Sequence, residues 1–123
     1  MKRESPASIN ETIRQQPYVR MVIGEVVTDE AVSEFLKIWN ERLKVARNEP
    51  GFIEVRLMTE EGGRMVVIET VWATRDHCLR YHWSRAYRQL VAKTQHLLVG
   101  DFVVKLFRQR VPVHATDSTD EGR

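Results

Sequence analysis

Two stretches in the middle of the chain have the pattern of β-strands: the first alternates with a period of two, and the second is a mainly apolar return strand. They run over Phe52–Thr59 and Met65–Trp72, and the segment Glu60–Gly63 separates them. Its two adjacent glycines can adopt positive φ angles without a Cβ clash, which favours a tight reversal of the chain. The pattern therefore predicts a β-hairpin, and the rest of the fold is expected to assemble around it.

The register of this hairpin determines which of its charged residues face each other. If Thr59 lies opposite Arg64, then Glu54 lies directly across from Glu69, with Arg56 next along the same face. Two carboxylates in that position repel each other unless a cation or a proton lies between them. We interpret the group as a salt-bridged patch at an interface between sheets. A carboxylate with a raised pKa that acts as a base is the alternative.

One strand and one helix are predicted before the hairpin. Tyr18–Val27 is rich in β-branched residues and largely apolar on both faces, which is typical of a strand that is covered on both sides. Thr28 is a good N-cap, and apolar residues then recur at spacings of three and four as far as Asn48. This pattern predicts a helix with one apolar stripe, and the following Pro50 ends it.

Two helices and a last strand are predicted after the hairpin. Thr74 is the expected N-cap of a helix that runs through His82 and breaks near Ser84. Ser84 then caps a second helix over Arg85–Leu98, and Asp101–Arg110 alternates as a closing strand. The helical region after the hairpin therefore consists of two pieces.

The order of elements is β-α-β-β-α-β, which predicts an α+β, ferredoxin-like fold with a four-stranded antiparallel sheet and its helices on one face. We expect residues 17–110 to form this domain, residues 1–16 to be a flexible arm and residues 111–123 a flexible tail. Because several strands are apolar on both sides, the second face of the sheet needs a cover. A homodimer in which two such sheets pack together supplies it.

Composition narrows the classes of function. The 123 residues are 42% hydrophobic and 29% charged, as in an ordinary globular domain, and a net charge of +2 without a basic stripe does not predict nucleic-acid binding. A single cysteine, Cys78, excludes a disulfide within the chain. There is no apolar run of the roughly 20 residues that cross a membrane, and no apolar core of a secretory signal. We expect a cytoplasmic protein that does not bind membranes.

Several of these segments resemble, in their order and spacing, the antibiotic biosynthesis monooxygenase superfamily. The resemblance covers about residues 18–108. It rests on Pro50-Gly51-Phe52, the strand that ends in Trp72, His82 ten residues later, and the pair Ser84 and Tyr87 that follows.

This resemblance implies a dimeric α+β barrel with a pocket between each sheet and its own helices. Members of the superfamily include cofactor-independent monooxygenases that act on phenols, naphthols and quinols, haem-degrading enzymes and isomerase-like proteins. The catalytic positions that it implies are His82, Trp72 and Tyr87. The residues expected to line the substrate pocket are Phe52, Trp39 and Phe35.

Two branches of the superfamily fit less well. In the haem-degrading branch a histidine on the last helix binds iron; that position falls near Val91 here, and His96 lies more than a turn further along. In the polyketide oxygenase branch an asparagine stands four residues before the tryptophan, where this chain has Ile68. No pair of histidines at helical spacing with a carboxylate suggests zinc. We therefore expect neither a cofactor nor a metal.

The function expected from the resemblance is a cofactor-independent monooxygenase that uses dioxygen on a small aromatic, phenol- or quinol-type substrate. His82 would withdraw the hydroxyl proton, because its pKa is close to neutral; alternatively it only binds a helix carbonyl. Trp72 would orient the ring, or simply pack in the core. The alternative function is a non-catalytic dimer that binds a small apolar molecule.

Overall fold

Four strands form one antiparallel sheet in the order β2-β3-β1-β4. The computed structural model describes residues 17–110, so the predicted arm (1–16) and tail (111–123) lie outside the described residues. The strands are β1 (Tyr18–Glu25), β2 (Phe52–Thr59), β3 (Met65–Trp72) and β4 (Val103–Arg108). The predicted strands are confirmed, except that the first and last are shorter than expected.

Three α-helices lie between the strands: α1 (Asp29–Ala46), α2 (Arg75–His82) and α3 (Arg85–Thr94). Each begins at a residue whose hydroxyl accepts a hydrogen bond from a backbone N–H of the first turn, and these N-caps are Thr28, Thr74 and Ser84. All three caps agree with the sequence prediction. The last helix ends earlier than the predicted Leu98, because Gln95–Leu97 tightens into a 3-10 turn.

The break between α2 and α3 falls where the sequence predicted it. The backbone N–H of Trp83 bonds to Leu79 and Tyr81, and Ser84 then turns to an extended conformation with φ −71° and ψ 155°. Its hydroxyl accepts from the N–H of Tyr87 at 3.2 Å. The two short helices therefore meet at an angle fixed by capping, and this brings the end of α2 next to the start of α3.

These elements make up the predicted ferredoxin-like α+β fold, with β-α-β-β-α-α-β as the detailed order. The deeply buried positions of β1 and β3 alternate along each strand, so a single face of the sheet carries the helices. No helix within residues 17–110 is long and apolar enough to cross a membrane.

The predicted register of the hairpin is wrong by two residues. Thr59 pairs with Val66 rather than Arg64, since the reversal extends from Glu60 to Met65 and is closed by the Glu60 N–H bonding to the Met65 carbonyl at 2.9 Å. The same shift puts Glu54 opposite Val71, and a β-bulge between Phe52 and Glu54 then offsets Phe52, which pairs with Trp72.

As a result, Glu54 and Glu69 do not face each other. Arg56 is directly opposite Glu69, and its guanidinium bonds to Glu54 at 2.6 Å and to Glu69 at 3.4 Å. The cation that the sequence analysis required therefore lies between the two carboxylates. Arg56 is exposed, so these pairs contribute little to stability.

Gly51, in the Pro-Gly-Phe segment, is required by its surroundings. It has a φ of +81°, and a Cβ at this position would collide with the ring of His77 on α2. Its carbonyl accepts the N–H of Ala73 at 2.7 Å, which ties the start of β2 to the end of β3. The segment thereby fixes α2 against the hairpin.

The opposite face of the sheet, here called the outer face, carries no element of the described chain. It contains half-buried and exposed apolar side chains from all four strands, among them Val19, Met21, Ile23, Met58, Met65, Val67, Val71, Val103 and Phe107. Val103 is 51% exposed and Phe107 45% exposed. The apolar character that the sequence predicted for both faces of the sheet is therefore present.

Candidate functional site

His82 is the last residue of α2, and its ring lies over β1. The Nε–H of Arg20 donates to Nδ1 of His82 across 3.1 Å. The ring also lies 4.7 Å from that of Trp83 and 5.6 Å from that of Tyr87, between centroids. The helix break at Ser84 makes this possible, because it lets α3 direct Tyr87 back towards the end of α2.

Arg20 is completely buried in the middle of β1, on the face that carries the helices. Its Cζ lies 4.0 Å from the centroid of the Tyr87 ring and 5.9 Å from that of Tyr81, which is cation–π geometry. Among the described residues, Arg20 forms no ion pair with a carboxylate, and its buried Nη2 atom has no hydrogen-bond partner. A buried cation in this state is costly unless something else compensates it.

The surroundings of His82 keep its ring neutral. Burial and the positive charge of Arg20 both lower the pKa of His82 below its ordinary value. Since the Arg20 Nε–H is a donor, Nδ1 of His82 must carry the lone pair, and the single proton of the neutral ring is on Nε2. His82 therefore presents a hydrogen-bond donor on the side away from Arg20.

The two tyrosines remain protonated near neutral pH. Burial raises the pKa of Tyr81 to about 12, against an opposing effect of the Arg20 charge. Burial also raises the pKa of Tyr87, and Arg20 again opposes the rise. Neither phenol compensates the charge of Arg20 by ionising, so the guanidinium is surrounded by neutral rings.

Trp72 lies beside this group but is fully enclosed. Its indole N–H donates to the hydroxyl of Thr70 at 3.0 Å, and its exposed fraction is zero. The ring stacks on Tyr81 at 5.0 Å and meets Phe52 edge-on at 5.7 Å. Trp72 thus supports the position of Tyr81, and its polar atom is already bonded within the protein.

Of the three residues expected to line a pocket, Phe35 and Trp39 are core residues. They stack on each other at 5.5 Å, and the Trp39 indole N–H donates to Thr94 at 3.2 Å. Both are at most 1% exposed. Trp39 reaches the site only through an edge contact with Tyr87, whereas Phe52 is half-buried next to Trp72. The structure therefore brings His82 and Tyr87 together, and keeps Phe35 apart from them.

The clefts on the described part of the molecule include four that lie beside the helices or at the hairpin turn. One of about 70 Å³ separates the end of α1 from α3, with Tyr81 in its wall. This is smaller than the roughly 150 Å³ known to hold one benzene molecule. Larger open clefts of about 510, 440 and 320 Å³ lie between α1 and β2, along α3 beside Trp83, and at the hairpin turn. His82, Trp72 and Arg20 line none of the four.

Comparison with protein families matches residues 19–93 to the family described as antibiotic biosynthesis monooxygenase. The chain belongs to this family. The matched range includes the hairpin, the buried Arg20 and the His82 and Tyr87 site, so the antibiotic biosynthesis monooxygenase domain contains every residue of the candidate site. A comparison with curated proteins by sequence found no match.

Solved structures share the fold of this antibiotic biosynthesis monooxygenase domain at low sequence identity. A putative antibiotic biosynthesis monooxygenase from Nitrosomonas europaea is 13% identical, with a TM-score of 0.71 over 81% of this chain and 96% of its own. A conserved protein from Methanosarcina mazei is 14% identical, with a TM-score of 0.71 over 81% and 99%. SnoaB, a cofactor-independent oxygenase from Streptomyces nogalater, is 18% identical, with a TM-score of 0.69 over 80% and 97%.

Sequence reasoning missed Arg20, the residue that organises the site of this monooxygenase-family domain. A signal was available: Arg20 has the same strand parity as Tyr18, Val22 and Val26, so it is the one charged residue on the otherwise apolar helix-facing side of β1. The partner of its Nε could not be found from sequence, because 62 residues separate Arg20 from His82.

Proposed function

We propose that this protein is a monooxygenase that acts, without a bound cofactor, on a small phenol- or quinol-type substrate at the exposed edge of His82. The observation that carries the proposal is the Arg20–His82 hydrogen bond of 3.1 Å, in which a buried cation without a carboxylate partner holds a neutral imidazole against Tyr87. Such a combination of donors and positive charge suits an electron-rich aromatic oxygen. Membership of the antibiotic biosynthesis monooxygenase family supports the same class of reaction.

The chemistry balances without a cofactor. A phenol with a free para carbon combines with one molecule of dioxygen to give the para-quinone and one molecule of water, and a hydroquinone with a free ring carbon gives the hydroxyquinone and one molecule of water. One oxygen atom enters the ring and the other leaves as water, and the ring supplies all four electrons. The protein's task is to bind the ring and to stabilise the negative charge on its oxygen, because the deprotonated ring can pass an electron to dioxygen.

The contact made by His82 changes the role expected from its sequence. Withdrawing a proton at Nε2 would require that nitrogen to have a free lone pair, which moves the ring proton to Nδ1 and breaks the bond from Arg20. In our proposal His82 therefore holds the substrate oxygen as a donor. Tyr87 positions the imidazole and the guanidinium, and Trp72 acts through Tyr81 rather than by touching the substrate.

A second candidate, a binding protein without catalysis, is favoured by one observation. The aromatic side chains of α1, β3 and α3 fill the space between sheet and helices, and the cleft beside Tyr81 measures only about 70 Å³. In this case Arg20 and His82 would bind a ligand that undergoes no reaction.

Oxygen consumption tests the proposal. A panel of naphthols and hydroquinones is incubated with the protein, dioxygen is followed with an electrode, and His82→Gln is compared with the wild type. His96→Gln is the matched control, because it makes the same change on the 3-10 turn outside the site. Uptake that His82→Gln abolishes and His96→Gln retains supports the oxygenase. Binding without uptake by any of the three proteins would favour the second candidate.

We also propose that the protein functions as a homodimer whose two sheets pack through their outer faces. The support is the row of half-buried and exposed apolar side chains on that face, which water would otherwise contact. The small-molecule site lies on the other side of the sheet, so both partners retain it.

A further inference from the structure

We propose that the Arg20–His82 pair is an oxyanion site: it selects the anionic form of its ligand, a phenolate or enolate, over the neutral form. This deepens the proposed function and rests on it for the aromatic character of the ligand. The donor assigned to the oxyanion is the Nε2–H of His82, and the buried guanidinium of Arg20 supplies the positive charge behind the ring. Both roles follow from the geometry of the contact between the two side chains.

The first argument concerns the direction of hydrogen bonds. The guanidinium of Arg20 cannot accept a hydrogen bond, so its 3.1 Å contact fixes Nδ1 of His82 as the acceptor. The remaining polar hydrogens of the pair can only be donated to an acceptor, since neither side chain has another lone pair to offer. A neutral phenol that approaches Nε2 must offer its oxygen lone pair and leave its own proton without a partner at the pair, whereas a phenolate offers only lone pairs. The pair therefore distinguishes the two forms.

The second argument concerns charge. The titratable groups that face Arg20 and His82 are Cys78 and Tyr81 from α2 and Tyr87 from α3. All three are neutral near pH 7, since burial raises the pKa of the Cys78 thiol to about 11 and the pKa of both tyrosines. Further out, Arg75 acts on Cys78 as a second cation and Glu49 acts on Tyr81 as an anion. The potential at the pair is dominated by the charge of Arg20, which favours an anionic ligand.

The third argument is that Arg20 has a donor to spare. Its side chain is fully buried, yet Nη2 bonds to none of the described residues. Buried polar groups are nearly always hydrogen-bonded, so a buried atom of this kind needs an explanation. His82 is half-buried at the surface end of the pair, next to the exposed Trp83. A ligand oxygen that reaches the Nε2 side of His82 enters the field of the guanidinium, whose charge no carboxylate of the described residues neutralises.

Binding of 4-nitrophenol under nitrogen tests the proposal without any turnover. The phenol and the phenolate absorb at different wavelengths, so a spectrophotometric pH titration gives the pKa of the probe free and in the presence of excess protein. We expect the wild type to bind the phenolate about tenfold or more tightly than the phenol, which lowers the pKa of the bound probe by about one unit or more.

Substitutions identify the source of this preference. Arg20→Met is expected to abolish the shift, and Arg20→Lys to retain part of it, because the charge remains while the planar donor is lost. Arg56→Met removes an exposed arginine of the same sheet and should leave the full shift. Circular dichroism checks that each variant is folded. If Arg20→Met does not fold, the wild-type titration alone still decides the proposal.

A second measurement needs no ligand. Nitrogen-15 NMR of the histidine rings reports which nitrogen carries the proton, and His82 is expected to show the Nε2–H form in the wild type and a mixture of both forms in Arg20→Met. Equal affinity for phenol and phenolate, no binding of either form at millimolar concentrations, or an Nδ1–H ring at His82 would each overturn the proposal.

The outcomes also separate this inference from the proposed reaction. A phenolate preference that depends on Arg20, with no oxygen uptake on any quinol, would retain the oxyanion site and remove the oxygenase. Oxygen uptake that depends on His82, with no preference between the two forms of the probe, would retain the oxygenase and remove the oxyanion site.

Discussion

Nε of Arg20 lies 3.1 Å from Nδ1 of His82, although the two residues are 62 positions apart in the chain. One belongs to an inner strand of the sheet and the other to the last turn of a short helix. The contact sets the tautomer of the imidazole, brings a positive charge next to it and leaves part of the guanidinium without a described partner. The chemistry that we propose for this chain depends on this pair.

The pKa of His82 provides a direct test of the pair. Burial and the Arg20 charge lower it in the folded state, so the unfolded chain takes up a proton at higher pH than the folded chain does. The free energy of unfolding should therefore be unaffected by His82 above its unfolded pKa of about 6.5, and fall as the pH drops from there to the folded pKa.

Urea denaturation at a series of pH values measures this dependence. In His82→Gln the decrease in the free energy of unfolding that begins below about pH 6.5 should become smaller by the contribution of His82. His96→Gln should retain that contribution. A wild-type stability that rises as the pH falls through this range would contradict a lowered pKa, because it would mean that the folded state binds the proton more tightly.

Arg20→Met should make the folded protein more stable rather than less. The substitution replaces a buried cation that has no carboxylate partner with an apolar side chain of similar length. Replacing buried charges with well-packed apolar groups is often neutral or stabilising by about 1–4 kcal/mol, and we expect a gain of about 1 kcal/mol in urea denaturation. A loss of more than about 2 kcal/mol would show that the contacts to His82 and Tyr87 outweigh the cost of burying the charge.

A gain in stability on Arg20→Met would fit a residue that is retained for function although it makes the folded protein less stable. Arg88→Met is the control for the loss of an arginine as such. That side chain is exposed on α3, on the helical side of the sheet, so the free energy of unfolding should change by less than about 1 kcal/mol.

The sequence predicted the elements of this fold better than their register. Alternation and helical spacing fixed the strands and helices, and the hydroxyl caps at Thr28, Thr74 and Ser84 fixed where the helices begin. The hairpin register depends on where the reversal closes, at Glu60 and Met65, and a bulge at the other end of the strand pair offsets Phe52. Both are set by packing of the sheet, which a pattern of apolar residues does not specify.

The candidate site was predicted only in part, for a related reason. His82 and Tyr87 do meet, because the helix break between them was recognised from Ser84. Arg20 was not recognised as a site residue, because the sequence does not show which distant residue a single charge inside an apolar strand will contact. Phe35 and Trp39 were expected in a pocket, but aromatic side chains on an apolar helix stripe pack equally well against one another, and here they do.

The indole N–H of Trp72 has its described hydrogen bond with the hydroxyl of Thr70. Both side chains are fully buried, and the indole N–H donates to the Thr70 hydroxyl at 3.0 Å. Thr70→Val keeps the shape and removes the acceptor, so a buried donor is left without a partner, and we expect a loss of about 1–3 kcal/mol in the free energy of unfolding. Urea denaturation followed by tryptophan fluorescence measures it.

Trp72→Phe combined with Thr70→Val provides the control. Trp72→Phe removes the indole N–H, so the further substitution Thr70→Val no longer leaves a buried donor without a partner. The double variant should therefore lose less stability than the sum of the losses in the two single variants. Additive losses would mean that the hydrogen bond is unimportant and that Thr70 acts through packing alone.

Glutamate introduced on the outer face of the sheet should dissociate the proposed dimer. Val103 on β4 pairs with Ile23 and is 51% exposed in the single chain, and a charge there would be buried between two sheets if they pack together. Val45 on α1 is also 51% exposed but lies on the helical side, so Val45→Glu is a matched control. Light scattering after size exclusion should give a dimer mass for the wild type and Val45→Glu and a monomer mass for Val103→Glu. A wild-type monomer would contradict the proposed dimer, and a dimer that tolerates Val103→Glu would have its interface elsewhere.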